Sequence, residues 1–321
     1  MQTKGEQLLL PTITKRRTMQ LPYNDFGNWM RSQFPFKVQK LSVNAGFTCP
    51  TRDGHTGLGG CTYCNNRSFN PAYCEPEQGV GEQLEAGKKF FARKYPSMKY
   101  LAYFQAYTST YDTIDRLKAM YEEALMVEDV VGLVIGTRPD CMPDALLRYL
   151  EELNKHTFLI VEYGVESANN ETLERVKRGH TFECSRETIE RTHECGIKTG
   201  AHVILGLPGE DAKESIRQAA IMSALPIDIL KIHQMQIIRG TLLAKEYMKQ
   251  PFHLYTVEEY LDVICEYVKR LRKDLVLERF VSQSPEGLLI APKWGLKNYE
   301  FTNLLVRKMA NEQIVQGSMA L

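Results

Sequence analysis

Three of the eight cysteines in the 321-residue sequence fall within sixteen positions, in the run AGFTCPTRDGHTGLGGCTYCNN. Cys49 and Cys61 have eleven residues between them, and Cys61 and Cys64 have two. Thiolates are soft ligands, and cube-shaped iron–sulfur clusters are held by them. Three protein thiolates leave one iron without a protein ligand, open to a small chelating molecule, as a catalytic metal site keeps an open position. The same cysteines suit zinc if a fourth ligand joins them, and His55 within the loop or Cys74 beyond it is a candidate. A cluster used only for electron transfer would also take Cys74 as its fourth thiolate. Gly54, Gly57, Gly59 and Gly60 let the backbone wrap closely around a bound group. Cys141, Cys184, Cys195 and Cys265 are scattered and read as small buried hydrophobes.

Other polar residues stand in apolar runs. In VEYGVES, Glu162, Gly164 and Glu166 lie on one face if the segment is a strand. Acids inside an apolar strand are costly without partners, so this is a functional face or a salt bridge to a neighbouring strand. Arg178-Gly179-His180 follows a helix, where basic residues and glycine are what a C-terminal cap requires. Gly206–Glu210 (GLPGE) closes a strand on a tight turn. Arg138, His202, His233 and Arg239 are polar residues in strands or at their ends. Tyr103, Gln105, Tyr107 and Thr108 form a polar and aromatic strand end, either a pocket floor or an aromatic core.

The elements that must position these residues alternate. Strands are expected over 40–47, 99–107, 129–140, 158–167, 199–210 and 229–238. Helices are expected over 78–95, 113–125, 143–154, 170–177, 184–195 and 212–224. Apolar strands alternating with amphipathic helices argue for a parallel sheet with right-handed crossovers. Six units are too few for a full eight-stranded barrel. The expected fold is α/β, a partial (β/α)6 TIM-like barrel over 23–250. A mainly helical C-terminal extension follows over 251–321, with a long helix at 256–273, an irregular stretch at 284–298 and a final helix. Residues 1–22 form a basic N-terminal arm with Lys15, Arg16 and Arg17.

The composition is that of a globular protein, 43% hydrophobic and 25% charged. A formal net charge of +1 gives no overall pull towards nucleic acid or anionic lipid, so such a contact needs a local patch. No run of 18 or more apolar residues exists, and residues 1–20 carry no signal-peptide core. The expected location is the cytoplasm, without membrane contact, where cysteines serve metal or redox chemistry before disulfides.

The segments NAGFTCPTRDG, GGCTYCNNRSF, YFQAYTSTY, VIGTRPDC, VEYGVESANNETLERVKRGHT, HVILGLPGE and KIHQMQIIRGTLLAKEY occur in this order. Together they resemble the YhcC/YtqA-type radical S-adenosylmethionine (SAM) proteins over roughly residues 22–300. The widened cysteine spacing is similar to that of the Elongator-catalytic-subunit-like and coproporphyrinogen-dehydrogenase-like branches of that superfamily. The resemblance implies that Cys49, Cys61 and Cys64 hold a [4Fe–4S] cluster whose fourth iron binds SAM. It implies that Tyr63 packs near the SAM adenine and that Glu166 meets the ribose. Glu162 meets the SAM amino group or substrate, Arg178 the SAM carboxylate, and the turn with Gly206 and Pro208 lies beside the adenine.

The resemblance further implies tRNA as substrate, with conversion of a carboxymethylaminomethyl group on the wobble uridine to aminomethyl. An electron donor such as flavodoxin or ferredoxin is the implied second partner. RNA-facing candidates are Lys15, Arg16, Arg17, Arg31, Lys37 and Lys40, beside Trp29, Phe34 and Phe36. The rival readings are a radical SAM enzyme acting on a small molecule or porphyrin, and a non-catalytic iron–sulfur or zinc binding module.

Overall fold

The computed structural model describes residues 21–66, 70–92, 97–105 and 107–320. The basic arm up to residue 20, with Lys15, Arg16 and Arg17, lies outside the described residues.

Seven strands form one parallel sheet: β1 (Val38–Val43), β2 (Lys99–Phe104), β3 (Val130–Thr137), β4 (Phe158–Glu166), β5 (Lys198–Leu205), β6 (Ile229–Gln234) and β8 (Val276–Arg279). They follow that order across the sheet, and every neighbouring pair is parallel. The crossovers carry α2 (Val80–Ala92), α3 (Ile114–Met126), α4 (Asp144–Asn154), α5 (Asn170–Arg175), α6 (Phe182–Glu194) and α7 (Ala212–Ala224). The sheet curls as the half-barrel that six β/α units require. Its convex face packs Leu41, Leu133, Val161, Val203 and Leu230 against Leu117, Leu146, Ile189 and Ala219 from the helices. Strand runs such as FLIVEYGVE are buried on both sides, which explains their near-continuous apolarity.

The C-terminal region is not only an appendage. After α8 (Leu242–Lys249) and α9 (Val257–Arg270), β8 pairs with β6 and adds the seventh strand. Its four residues are too short for periodicity to reveal, and it escaped the sequence reading. α9 starts on a capping box formed by Thr256 and Glu259. Two short strands, β7 (Ile237–Ile238) and β9 (Leu289–Ala291), pair antiparallel, and α10 (Asn298–Asn311) ends the fold.

The concave side is layered. At the bottom, α1 (Phe26–Gln33) brings Phe26, Trp29 and Met30 against Leu101, Val134, Ile160, Ile229 and Val276, near the strand starts. Asp25 caps this helix by accepting from the amides of Gly27 and Asn28 at 2.9 and 3.0 Å. Phe34 meets Phe158 edge-on at 4.8 Å, and Trp29 lies 6.2 Å from the same ring. These aromatics, expected as RNA-facing, form an apolar plug. Lys40 points into the barrel, with only 12% of its side chain exposed, and is no surface cation. Side-chain alternation puts Lys40, Tyr103, Glu162, His202, Lys231 and His233 on the same concave face above the plug.

Candidate active site at the cysteine loop

β1 ends at Val43 because Gln83 of α2 captures the next residue's backbone. Its side chain accepts from the Asn44 amide at 2.8 Å and donates to the Asn44 carbonyl at 2.9 Å. The chain then leaves the sheet at the strands' C-terminal end, where functional loops of barrel-like folds sit. The Cys49 carbonyl accepts from the amides of Arg52 and Asp53, the Thr51 carbonyl from Gly60, and the Cys61 carbonyl from Cys64. Gly60 has φ +84°, and a Cβ there would come within 2.9 Å of Arg52 Cγ. The loop is tied to its surroundings through Thr62, whose amide donates to Val176 and whose carbonyl accepts from Leu243.

Cys49, Cys61 and Cys64 line one cavity of about 210 Å³ at the top of the half-barrel. Cys49 Sγ lies 2.9 Å from Thr108 Oγ1, and Arg178 Nη1 lies 3.7 Å from Cys61 Sγ. Cys64 Sγ is 3.4 Å from Asn66 Oδ1. Burial pushes the Cys49 thiol up and, with Cys61 and Cys49 nearby, the Cys64 thiol to about 12. A bound metal centre supplies the positive charge that makes such thiols deprotonate. His55 is exposed on the loop's outer side, and Cys74 donates to the Ser42 carbonyl at 2.9 Å. Neither lines the cavity, so the proposed fourth zinc or cluster ligands are absent from its wall. Among the described residues no group of three or more His, Cys, Asp or Glu side chains forms a ready-made single-ion site, while all three thiols line the same cavity.

Beside the thiols stands a wall of unsatisfied polar atoms. Tyr63 Oη, Asn66 Nδ2, Arg138 Nη1 and Arg178 Nε are buried without a hydrogen-bond partner. Unpaired buried donors demand an explanation, and a polar cofactor seated against them is one. Arg178 Nη2 donates to the Gly164 carbonyl at 2.6 Å and lies 3.6 Å from Glu166 Oε1. Glu166 follows a register shift in β4 and adopts φ +68°, a strained conformation for a residue with a side chain. Burial pushes its carboxyl up, against the pull of Arg178 and Arg138. Arg138 is committed to Asp140 at 2.7 and 2.9 Å and to the Arg178 carbonyl at 2.7 Å.

Glu162 has a different environment. Its buried carboxylate meets Lys40 Nζ at 2.8 Å, Lys231 Nζ at 2.5 Å and His202 Nε2 at 3.1 Å. Burial would raise its pKa, but Lys231, Lys40 and His202 together hold it well below the usual range. Glu278 joins the same network, 2.7 Å from Lys40 and 3.4 Å from Lys231. Lys231 also donates to Tyr103 Oη at 3.2 Å. Burial, then Lys231, pushes His202 down to about 4, so its neutral ring donates Nε2–H to Glu162.

The remaining candidates separate. Gln105, Tyr107, His202 and His233 line the cavity, whereas Arg239 bonds the Gly287 carbonyl outside it. Gly206, at φ +81°, packs on the Tyr255 ring, and Pro208 lines an outer groove with Asn169 and Arg175. Between them Leu207 packs in the same apolar cluster as Tyr63. His180 bonds the Thr181 carbonyl and is absent from the cavity wall. Sequence reasoning missed Asn66, Lys231, Glu278 and Arg279. Lys231 alternates with His233 in an otherwise apolar strand, and that spacing was the available signal.

Residues 54–218 match the Radical SAM superfamily, and residues 227–311 match the Radical_SAM C-terminal domain. The chain belongs to the radical SAM superfamily. It is 31% identical to YtqA of Bacillus subtilis over 295 residues, covering 92% of both chains. It is 34% identical to Escherichia coli YhcC over 296 residues, 92% of this chain and 94% of that one. Among solved structures, archaeal Elp3 from Methanocaldococcus infernus superposes with a TM-score of 0.65 at 18% identity, covering 88% of this chain and 64% of Elp3. This radical SAM protein is therefore of the YhcC/YtqA type, an enzyme whose cofactors are a [4Fe–4S] cluster and SAM. Membership removes the reading as a non-catalytic metal-binding module. No helix among the described residues is long and apolar enough to cross a membrane.

Proposed function

We propose that Cys49, Cys61 and Cys64 hold the cluster, and that the enzyme converts a carboxymethylaminomethyl group on the wobble uridine of tRNA to aminomethyl. The cluster and SAM, when bound, would supply one-electron cleavage of SAM and abstraction of a hydrogen atom from the N-carboxymethyl carbon; loss of one further electron to the oxidised cluster and hydrolysis of the resulting imine would release glyoxylate and leave the aminomethyl group. The chain's own residues hold, orient and seclude the reactants. Arg178, through its unpaired Nε, and Glu166 would hold the polar groups of SAM, and Tyr63 would pack against its adenine. The turn with Gly206 and Pro208 backs that pocket through Leu207. Glu162 braces the floor beneath, since both its oxygens are engaged by cations.

The observation that carries the substrate reading is a relationship. The chain is 30% identical over 187 residues to a Methanocaldococcus jannaschii protein named tRNA uridine(34) acetyltransferase, covering 57% of this chain and 34% of that one. Tyr103, Gln105 and Tyr107 line the cavity, and aromatic and amide side chains are the kind that meet an unstacked pyrimidine. A flavodoxin or ferredoxin is the proposed reductant, and the cytoplasm the proposed location. Nucleoside analysis of tRNA from cells lacking the protein tests the reading. Wobble uridines should retain the carboxymethylaminomethyl group; an unaltered aminomethyl pool would remove tRNA as substrate.

A further inference from the structure

We propose that Arg279 and His233 form a carboxylate subsite in the cavity, which holds the acid end of the substrate. This deepens the tRNA reading and rests on it for the identity of the arm that carries the acid.

The subsite depends on a defect in strand pairing. β8 pairs Leu277 with Leu230, but Arg279 with Lys231, so an extra residue is inserted between them. A bulge re-aims side chains next to active sites. Here it lets the consecutive residues Glu278 and Arg279 both serve the interior. Glu278 turns to Lys40 and Lys231, while Arg279 lines the cavity. Arg279 Nη2 donates to His233 Nε2 at 2.9 Å, and its Nε is buried with no hydrogen-bond partner.

The charge balance points the same way. The interior floor holds the cations Lys40, Lys231 and Arg279 and the carboxylates Glu162 and Glu278. Both carboxylates are taken by the lysines. Among the described residues no acid forms an ion pair with Arg279. Arg138 and Arg178, in contrast, each face an acid of their own. A half-buried guanidinium with an open donor is costly until an anion meets it, and its planar fork suits a carboxylate. His233 accepts from Arg279 on Nε2, so its proton sits on Nδ1 and adds a second donor. Burial, then Arg279, keeps this ring neutral.

The test uses holoenzyme with SAM bound and two probes, N-benzylglycine and its methyl ester. The acid ends in a secondary amine and carboxylate as the proposed arm does; the ester lacks the charge. Wild type should bind the acid about tenfold or more tighter than the ester. R279Q should lose that preference with SAM affinity and iron content unchanged, and R279K should keep part of it. Equal binding of acid and ester by wild type would overturn the subsite. Loss of SAM affinity in R279Q would overturn it too, since Arg279 would then hold the carboxylate of SAM itself. An Arg279-dependent acid preference without conversion of the modified tRNA would support the subsite while removing the tRNA reading.

Discussion

Replacing Glu162 with Gln removes the charge that Lys40, Lys231 and His202 share beneath the cavity. The side chain is fully buried, with Lys40 at 2.8 Å and Lys231 at 2.5 Å. Breaking a buried ion pair from one side costs about 3–5 kcal/mol, because the partner charge stays behind. Glu278 still meets Lys40 at 2.7 Å and Lys231 at 3.4 Å, which places the cost at the low end, about 3 kcal/mol. That is roughly a hundredfold change in the ratio of folded to unfolded protein. Urea unfolding at neutral pH should show a lower midpoint with an unchanged slope. Replacing Glu162 with Leu and Lys231 with Met together should recover much of the loss, since one charge of each sign leaves and Lys40 keeps Glu278. The pH dependence has a definite sign. The folded-state pKa of Glu162 is depressed, so its contribution is complete above the unfolded value of about 4.3. It is lost as pH falls through the lower folded value, and the gap between wild type and E162Q should close only in acid. An unchanged urea midpoint with SAM affinity reduced tenfold would refute the brace and make Glu162 a cofactor contact.

Two further outcomes follow from the site. Cys61→Ala should lose most of its cluster iron on anaerobic reconstitution while far-UV circular dichroism stays that of the folded chain; a full complement of iron would contradict the ligand assignment. Gly164→Ala would set a Cβ 2.5 Å from Glu166 Oε1 and 2.6 Å from Arg178 Nη2. Arg178 is buried and its Nη2 is held by the Gly164 carbonyl, so the crowding should cost about 1–3 kcal/mol of stability while SAM affinity, read by equilibrium dialysis, falls about tenfold.

The site was legible where chemistry is local in sequence. Three cysteines on a glycine-bearing loop after a strand can be read without tertiary information, because their spacing is the signal. The β/α alternation gave six strands, since buried parallel strands write long apolar runs. Glu162 and Glu166 look equivalent in VEYGVES, yet one is locked by lysines on β1 and β6 and the other turns towards Arg178 across a register shift. No spacing rule reports those partners, which lie 122 and 69 residues away. Lys40 misled for a related reason: an alternating strand of lysine and serine looks solvent-facing until a helix plugs the barrel beneath it. Arg279 was invisible because its strand has four residues and its orientation depends on a bulge.

The most direct measurement incubates reconstituted enzyme, SAM and a one-electron reductant with tRNA bearing carboxymethylaminomethyl wobble uridine, followed by mass spectrometry of the nucleosides. Aminomethyl uridine should accumulate in step with 5′-deoxyadenosine, and neither should form with Cys61→Ala. Release of 5′-deoxyadenosine with the wobble uridine intact would contradict the proposed reaction.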